Sequence, residues 1–214
     1  MRLILFALAL SLSGCAKGEL AANREMADAM LQRRGAPDFA NASTAEYAAI
    51  RHTPSGMICV LPADGAFEFD VFPSDSMNAG AQCSSTGGDV ATGWVAVRFG
   101  QPTTLDAAFA SSVAQFSQGL EVQPWEGQPS EADRASPDGL PHYRIHRLQA
   151  TINGEERFLR MAIAEMDGWY LQQIVSGPLT SAVDAEATAG TAWRLSLREF
   201  AVAPHEPAPP PPSN

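Results

Sequence analysis

His142, Glu165 and Tyr170, with Arg144 and Gln172 one row away, are the residues of this chain whose types could act together. An imidazole, a carboxylate, a phenol, a guanidinium and an amide make a small polar binding site, not a catalytic set, and no catalytic residue is assigned from the sequence. His142 and His146 invite a metal reading. In a strand rising about 3.3 Å per residue they stand about 13 Å apart, too far to share one ion. Asp64, Glu68, Asp70 and Asp75 are acids without EF-hand spacing or its closing glutamate, so they read as a solvated strand face. His52 can be grouped with Ser55, or with Ser84, Ser85 and Thr86, into a hydrolytic arrangement only by assumption, because no serine sits in a GxSxG elbow. Gly87 and Gly88 precede no lysine and cradle no phosphate. No metal site and no cofactor is expected.

Three strands must position the polar group. Asn153-Gly154 and Asp167-Gly168 favour two-residue type I′ turns. Such turns set Ile152 opposite Glu155 and Met166 opposite Trp169, which brings His142, Glu165 and Tyr170 side by side. Arg144, Ile163 and Gln172 then form the next row. Leu148 and Leu159, near Met161 and Ile174, continue that face. Tyr143, Ile145, Phe158, Ala162, Ala164, Leu171 and Val175 occupy the other, so both faces should be covered at least in part. The polar group is either a binding site at the sheet end, beside the proline-rich stretch 123–141, or a solvated edge with a favourable charge pair. The second reading is preferred.

Along the rest of the chain, Leu20, Met26, Ala27, Met30 and Leu31 are spaced for one face of a helix from Glu19 to Arg34, stopped by Gly35 and Pro37. It could serve as a tether or dock. Ser43 followed by Glu46 fits a capping box and predicts a short helix over 44–52. Met57 to Leu61 and the alternating Phe67, Phe69 and Val71 predict a hairpin about the turn Pro62 to Gly65. Small residues from Ser74 to Asp89 predict a loop, and Val90 to Phe99 a strand. A helix starting near Thr103 carries Leu105, Ala108, Phe109, Val113 and Phe116 at helical spacing. The segment 123–141 lacks periodicity and predicts a long surface loop. A last helix follows from about Thr180 to Arg198, with Ala182, Ala185, Ala189, Ala192, Trp193, Leu197 and Phe200 on one stripe.

The segment Leu3 to Leu12 is a run of about ten apolar or small residues, half of what a spanning helix needs, behind the single charge of Arg2. It closes on Leu12, Ser13, Gly14, Cys15. This pattern resembles the lipobox of bacterial lipoproteins, which implies cleavage before Cys15, acylation of its thiol and a lipid anchor made firm by more than one chain. The resemblance also implies a cell-envelope location facing the periplasm, and Ala16 in place of an aspartate favours the outer membrane over the inner. With Cys15 given to lipid, Cys59 and Cys83 remain as an even pair in an oxidising compartment, and a disulfide is expected. The net charge of -10 excludes nucleic acid and anionic lipid headgroups as partners. Lys17 is the one lysine, so an internal Schiff-base lysine is excluded.

The expected organisation is a signal peptide over 1–14, a lipidated tether or helix over 15–42, one domain over 43–202 and a disordered proline-rich tail over 203–214. The fold class is α+β: an antiparallel sheet of hairpin, strand and terminal three-stranded meander packed against helices, in an α/β/α sandwich-like arrangement. By element order over about 55–200 it looks like the Mog1 and PsbP-like architecture. That resemblance implies an interaction or accessory module without chemistry of its own, with an envelope protein as its partner. A small-ligand-binding or hydrolytic lipoprotein, using the 123–141 loop and the His142 sheet end, is the alternative.

Overall fold

The structure is a computed structural model that describes residues 12–72, 78–134 and 139–205, the side chains of 12–16 and of Asn78 excepted. In chain order it consists of α1 (Leu12–Arg34), β1 (Phe39–Asn41), β2 (Ala49–His52), β3 (Ile58–Val60), β4 (Ala66–Phe72), β5 (Asn78–Gly87), β6 (Val90–Phe99) and α2 (Leu105–Phe116). There follow β7 (Val122–Pro124), α3 (Glu131–Arg134), β8 (Tyr143–Ile152), β9 (Glu155–Met166), β10 (Trp169–Pro178) and, after a single 3-10 turn, α4 (Ala182–Val202). The class is α+β. Ten antiparallel strands form two sheets, one of three strands in the order β1-β2-β3 and one of seven in the order β4-β5-β6-β10-β9-β8-β7.

The meander β8-β9-β10 has the register that its turns dictate. Ile152 pairs Glu155 and Met166 pairs Trp169. Asn153 and Gly154 take φ of 53° and 83°, and Asp167 and Gly168 take 52° and 78°, the left-handed pairs that a type I′ turn requires. Alternation then sorts the side chains. One face turns Trp169, Leu171, Gln173 and Val175 toward α4, where they meet Trp193, Leu197 and Phe200, all three fully buried. Burying a side chain of that size is worth about 1.5–3 kcal/mol. The other face turns Ile163 and Tyr170 toward Ala108 of α2, and Leu148 and Leu159 toward Phe116.

Several expectations are corrected. The segment 44–52 forms no helix: Thr44 Oγ1 accepts from the amides of Glu46 and Tyr47, a local turn, after which the chain extends into β2. There Ala49 pairs Val60 and Ile50 pairs Cys59, so tertiary pairing outweighs the capping-box signal. For the same reason β3 joins β2 and not β4, and the predicted hairpin about Pro62 does not exist. The predicted loop after Ser74 is largely strand β5, ten residues long and paired on both sides. Its small residues belong to the packing. A Cβ on Gly80 would stand 2.1 Å from the Ala96 carbonyl oxygen, so only glycine lets the two backbones approach.

The segment 123–141 is no plain loop, since it holds β7 and α3. The cap of α2 is Thr104, whose side chain accepts from Ala107 N at 3.2 Å, one residue later than expected. Helix α1, described from Leu12 on, docks: Ala27 is fully buried, Asn23 Nδ2 donates to Thr44 O at 2.9 Å, and Met26 alone of the expected face stays exposed. Phe39, placed with the tether by the sequence, pairs His52 and packs against Phe69. Of the expected signal peptide over 1–14, residues 1–11 lie outside the described residues, as do 206–214 of the expected tail over 203–214. The first residues of the tail are held, with His205 Nε2 donating to the Phe200 carbonyl at 2.8 Å.

Candidate functional site

The polar group predicted at the end of the meander comes only partly together. Tyr170 pairs Glu165 across the ladder, and Arg144, Ile163 and Gln172 share the next row. His142 lies one residue before β8 and is exposed. Tyr170 is buried under α2, its hydroxyl donates to the Thr103 carbonyl at 2.9 Å, and burial with the Glu165 charge raises its pKa. Arg144 pairs Asp106 at the surface at 3.0 Å. Glu165 accepts from the Gly168 amide at 3.0 Å, and Gln172 turns to the Met161 sulfur at 3.7 Å. Glu165, Tyr170, Arg144 and Gln172 thus each serve a structural partner of their own. Cys59 and Cys83, 24 positions apart in the chain, are joined as a disulfide, and the bridge staples the three-stranded sheet to β5 of the larger one. Cys15 sits on α1, where its side chain lies outside the described residues.

His52 and Ser55 do meet, with Nδ1 and Oγ 2.7 Å apart. Ser55 Oγ also accepts from Met57 N, and both side chains are buried. Phe39 and Trp169 flank the ring. Burial, opposed weakly by Asp38, lowers the His52 pKa to about 4. The pair is a neutral core hydrogen bond closed to substrate.

A larger polar centre was not foreseen. Arg147 and Arg160 stand directly opposite each other on the face that packs against α4. Like charges in such a pair repel, and two acids from other elements separate them. Asp133 of α3 reaches Arg147 at 2.5 Å and Arg160 at 3.0 Å, while Glu186 of α4 reaches Arg147 at 2.7 Å and Arg160 at 3.2 Å. Arg160 and Glu186 are at most 1% exposed. Gln173 accepts from Arg160 and donates to the Ala189 carbonyl, and the Ser130 amide donates to Glu186. Burial lowers the Arg160 pKa, opposed by both acids. The parity of the meander held the signal: Arg147, Arg160 and Gln173 fall among Ile145, Phe158, Ala162, Leu171 and Val175 on an otherwise apolar face. Two arginines there require acids from elsewhere. Gly190 admits Ser130 against α4, where a Cβ would be 2.1 Å from Ser130 Oγ. The 123–141 segment is thereby locked onto the sheet.

The opposite half of the sheet is open. α2 packs mainly on β8 and β9, and its Leu105, Ala108 and Phe109 share a cluster with Val97 and Phe99 at one end of β6. Toward β4 and β5 a cleft of about 440 Å³ is bordered by Glu68, Asp70, Gln82, Ser84, Val95 and Ile174, with Arg34 of α1 also lining it. No ion pair among the described residues engages Glu68 or Asp70. The surface therefore offers two acids, an arginine, an amide and short apolar side chains. Among the described residues, no cluster of three metal-ligating side chains occurs.

No protein-family profile matches the chain, and no curated protein matches it. Two solved structures of proteins without an assigned function are similar. PA94 from Pseudomonas aeruginosa shares 15% identity at a TM-score of 0.31, over 73% of this chain and 94% of that one. The Mycobacterium smegmatis ortholog of Rv0999 shares 14% at a TM-score of 0.27, over 78% of this chain and 94% of that one. At these scores neither likeness bears on fold or role.

Proposed function

We propose that this chain is a lipid-anchored protein of the bacterial cell envelope, acylated at Cys15, whose α+β domain faces the periplasm as a non-enzymatic interaction or accessory module. The observation that carries the reading is the Cys59–Cys83 bridge in the core, a covalent link typical of oxidising compartments. The lipobox-like segment ending at Cys15 supports the anchor, and its Ala16 favours the outer membrane. From Cys15 to Asn23, the first α1 side chain that hydrogen bonds the domain, the helix spans about 12 Å, a short stiff spacer between bilayer and domain. Among the described residues no helix is long and apolar enough to cross a membrane.

The interaction role is supported by the contrast between closed polar centres and an open sheet half, and by the likeness of element order to Mog1 and PsbP-like domains. Radiolabelled palmitate fed to cells making the full chain should enter the protein and be lost on Cys15→Ser. Undiminished labelling of that variant, or none of the unaltered chain, contradicts the anchor.

A further inference from the structure

We propose that the outer edge of β4 takes up an extended segment of a partner protein in which apolar and basic residues alternate. The proposal deepens the interaction role given above and rests on it.

Ladder arithmetic shows which backbone groups are available. Gly87 pairs Val90 across a two-residue turn, so those two exchange hydrogen bonds. One residue back, Thr86 turns its amide and carbonyl to β4, where it pairs Ala66. Counting on by twos, Ala66, Glu68, Asp70 and Phe72 face β5, and Phe67, Phe69 and Val71 present their amides and carbonyls outward. The Val71 amide confirms the parity by donating to the Asp70 carboxylate at 2.8 Å, a self-made cap. No side chain or loop among the described residues bonds the outward groups of Phe67 and Phe69.

The two ends of the sheet differ in how they are guarded. β7 has three residues and ends in Pro124, which lacks an amide to offer. β4 has seven residues with neither proline nor lysine, the common devices that blunt an edge. A strand added to β4 would place alternate side chains beside Phe67, Phe69 and Val71 on one face, and beside Glu68 and Asp70 on the other. Apolar residues fit the first set. Basic residues fit the second, where their charged ends stand beside the Glu68 and Asp70 carboxylates at the mouth of the cleft. Arg34 sits over the Phe69 ring at 5.9 Å and forms no ion pair with the two acids. A second copy of this chain is a poor occupant. Antiparallel β4 pairing about Phe69 sets Glu68 against Asp70 of the other copy, and each chain carries -10.

The test uses the full chain and two fluorescein-labelled peptides, Val-Lys-Val-Lys-Val-Lys-Val and its glutamate counterpart, read by anisotropy at low salt. The lysine peptide should bind at least tenfold more tightly. Phe67→Pro removes one outward amide while keeping the β4-β5 hydrogen bonds; the loss of its half-buried ring should lower the melting temperature, and the folded variant should bind at least tenfold more weakly. Glu68→Lys with Asp70→Lys should invert the preference between peptides. If the proline variant unfolds, N-methylation of alternate peptide amides replaces it and should abolish binding. Equal binding of the two peptides, or binding indifferent to Phe67→Pro or to N-methylation, overturns the proposal. So does sedimentation of the free chain as a dimer that Phe67→Pro dissolves, which would give the edge to a second copy. None of these variants touches Cys15. A partner crosslinked equally well by Phe67→Pro would leave the interaction role standing and remove the edge alone.

Discussion

At its β7 end the seven-stranded sheet is finished with a proline, the docked helix α3 and four interlocked charges. At its β4 end it leaves seven residues of strand with two acids that form no ion pair among the described residues, beside a cleft. The closed end shows charge used for uniqueness: a buried ion pair adds little net stability, but its members fix which elements may pack together. The open end shows an edge left available. One sheet thus holds a rigid anchor for its own chain and a free margin for another.

Breaking the closed end carries the largest expected effect. Arg160→Met strands Asp133 and Glu186 with only Arg147 between them, and should cost about 3–5 kcal/mol in urea unfolding. Replacing all four charges with apolar residues of similar volume should cost far less, because no buried charge is then left alone. Equal losses in both variants would mean that shape, not charge, locks this end.

Removing the bridge tests what holds the small sheet over the open half. The double variant Cys59→Ala with Cys83→Ala should lose about 3 kcal/mol on the chain-entropy account, measured by urea unfolding under non-reducing conditions. Amide exchange should rise mainly in β1, β2 and β3.

A comparable effect is expected from pH at His52. Its folded pKa of about 4 lies below the roughly 6.5 of an unfolded imidazole, so the unfolded chain takes up the proton first. The stability from this group is therefore full above about pH 6.5 and falls as pH drops toward 4, by about 3 kcal/mol. His52→Gln should flatten that part of the profile. A slope unchanged by the variant would assign it to other groups.

The smallest change sharpens the lock itself. Gly190→Ala gains about 1 kcal/mol of helix propensity but drives a methyl into Ser130. A net loss of about 1–2 kcal/mol in urea unfolding is expected, with faster exchange in α3. A gain would show that α3 is loosely seated.

The meander was legible because two pairs of turn residues fixed its register, and every facing residue then followed by parity. Strand β5 was not, because glycine, alanine and serine at Gly80, Ala81, Ser84 and Ser85 carry no strand pattern and gain their role from neighbours on both sides. Strand β2 was hidden for a related reason: Thr44 makes local bonds resembling a helix start, and only pairing with β3 decides otherwise. The charged centre was half visible. Arg147 and Arg160 could be placed on the apolar face from the turns alone, whereas Asp133 and Glu186 reach them from a long connection and a terminal helix that no local rule brings together. The open edge needed topology, since it depends on which strand stands last.

Amide hydrogen exchange of the free chain, resolved residue by residue, tests the contrast between the two ends most directly. The amides of Phe67 and Phe69 should exchange at nearly the rates of an unstructured chain, while those of Glu68 and Asp70 between them, and of Ala162 and Leu171 in the meander, stay protected. Protection of Phe67 and Phe69 equal to that of Ala162 would mean that the β4 edge is already closed, and would contradict the account.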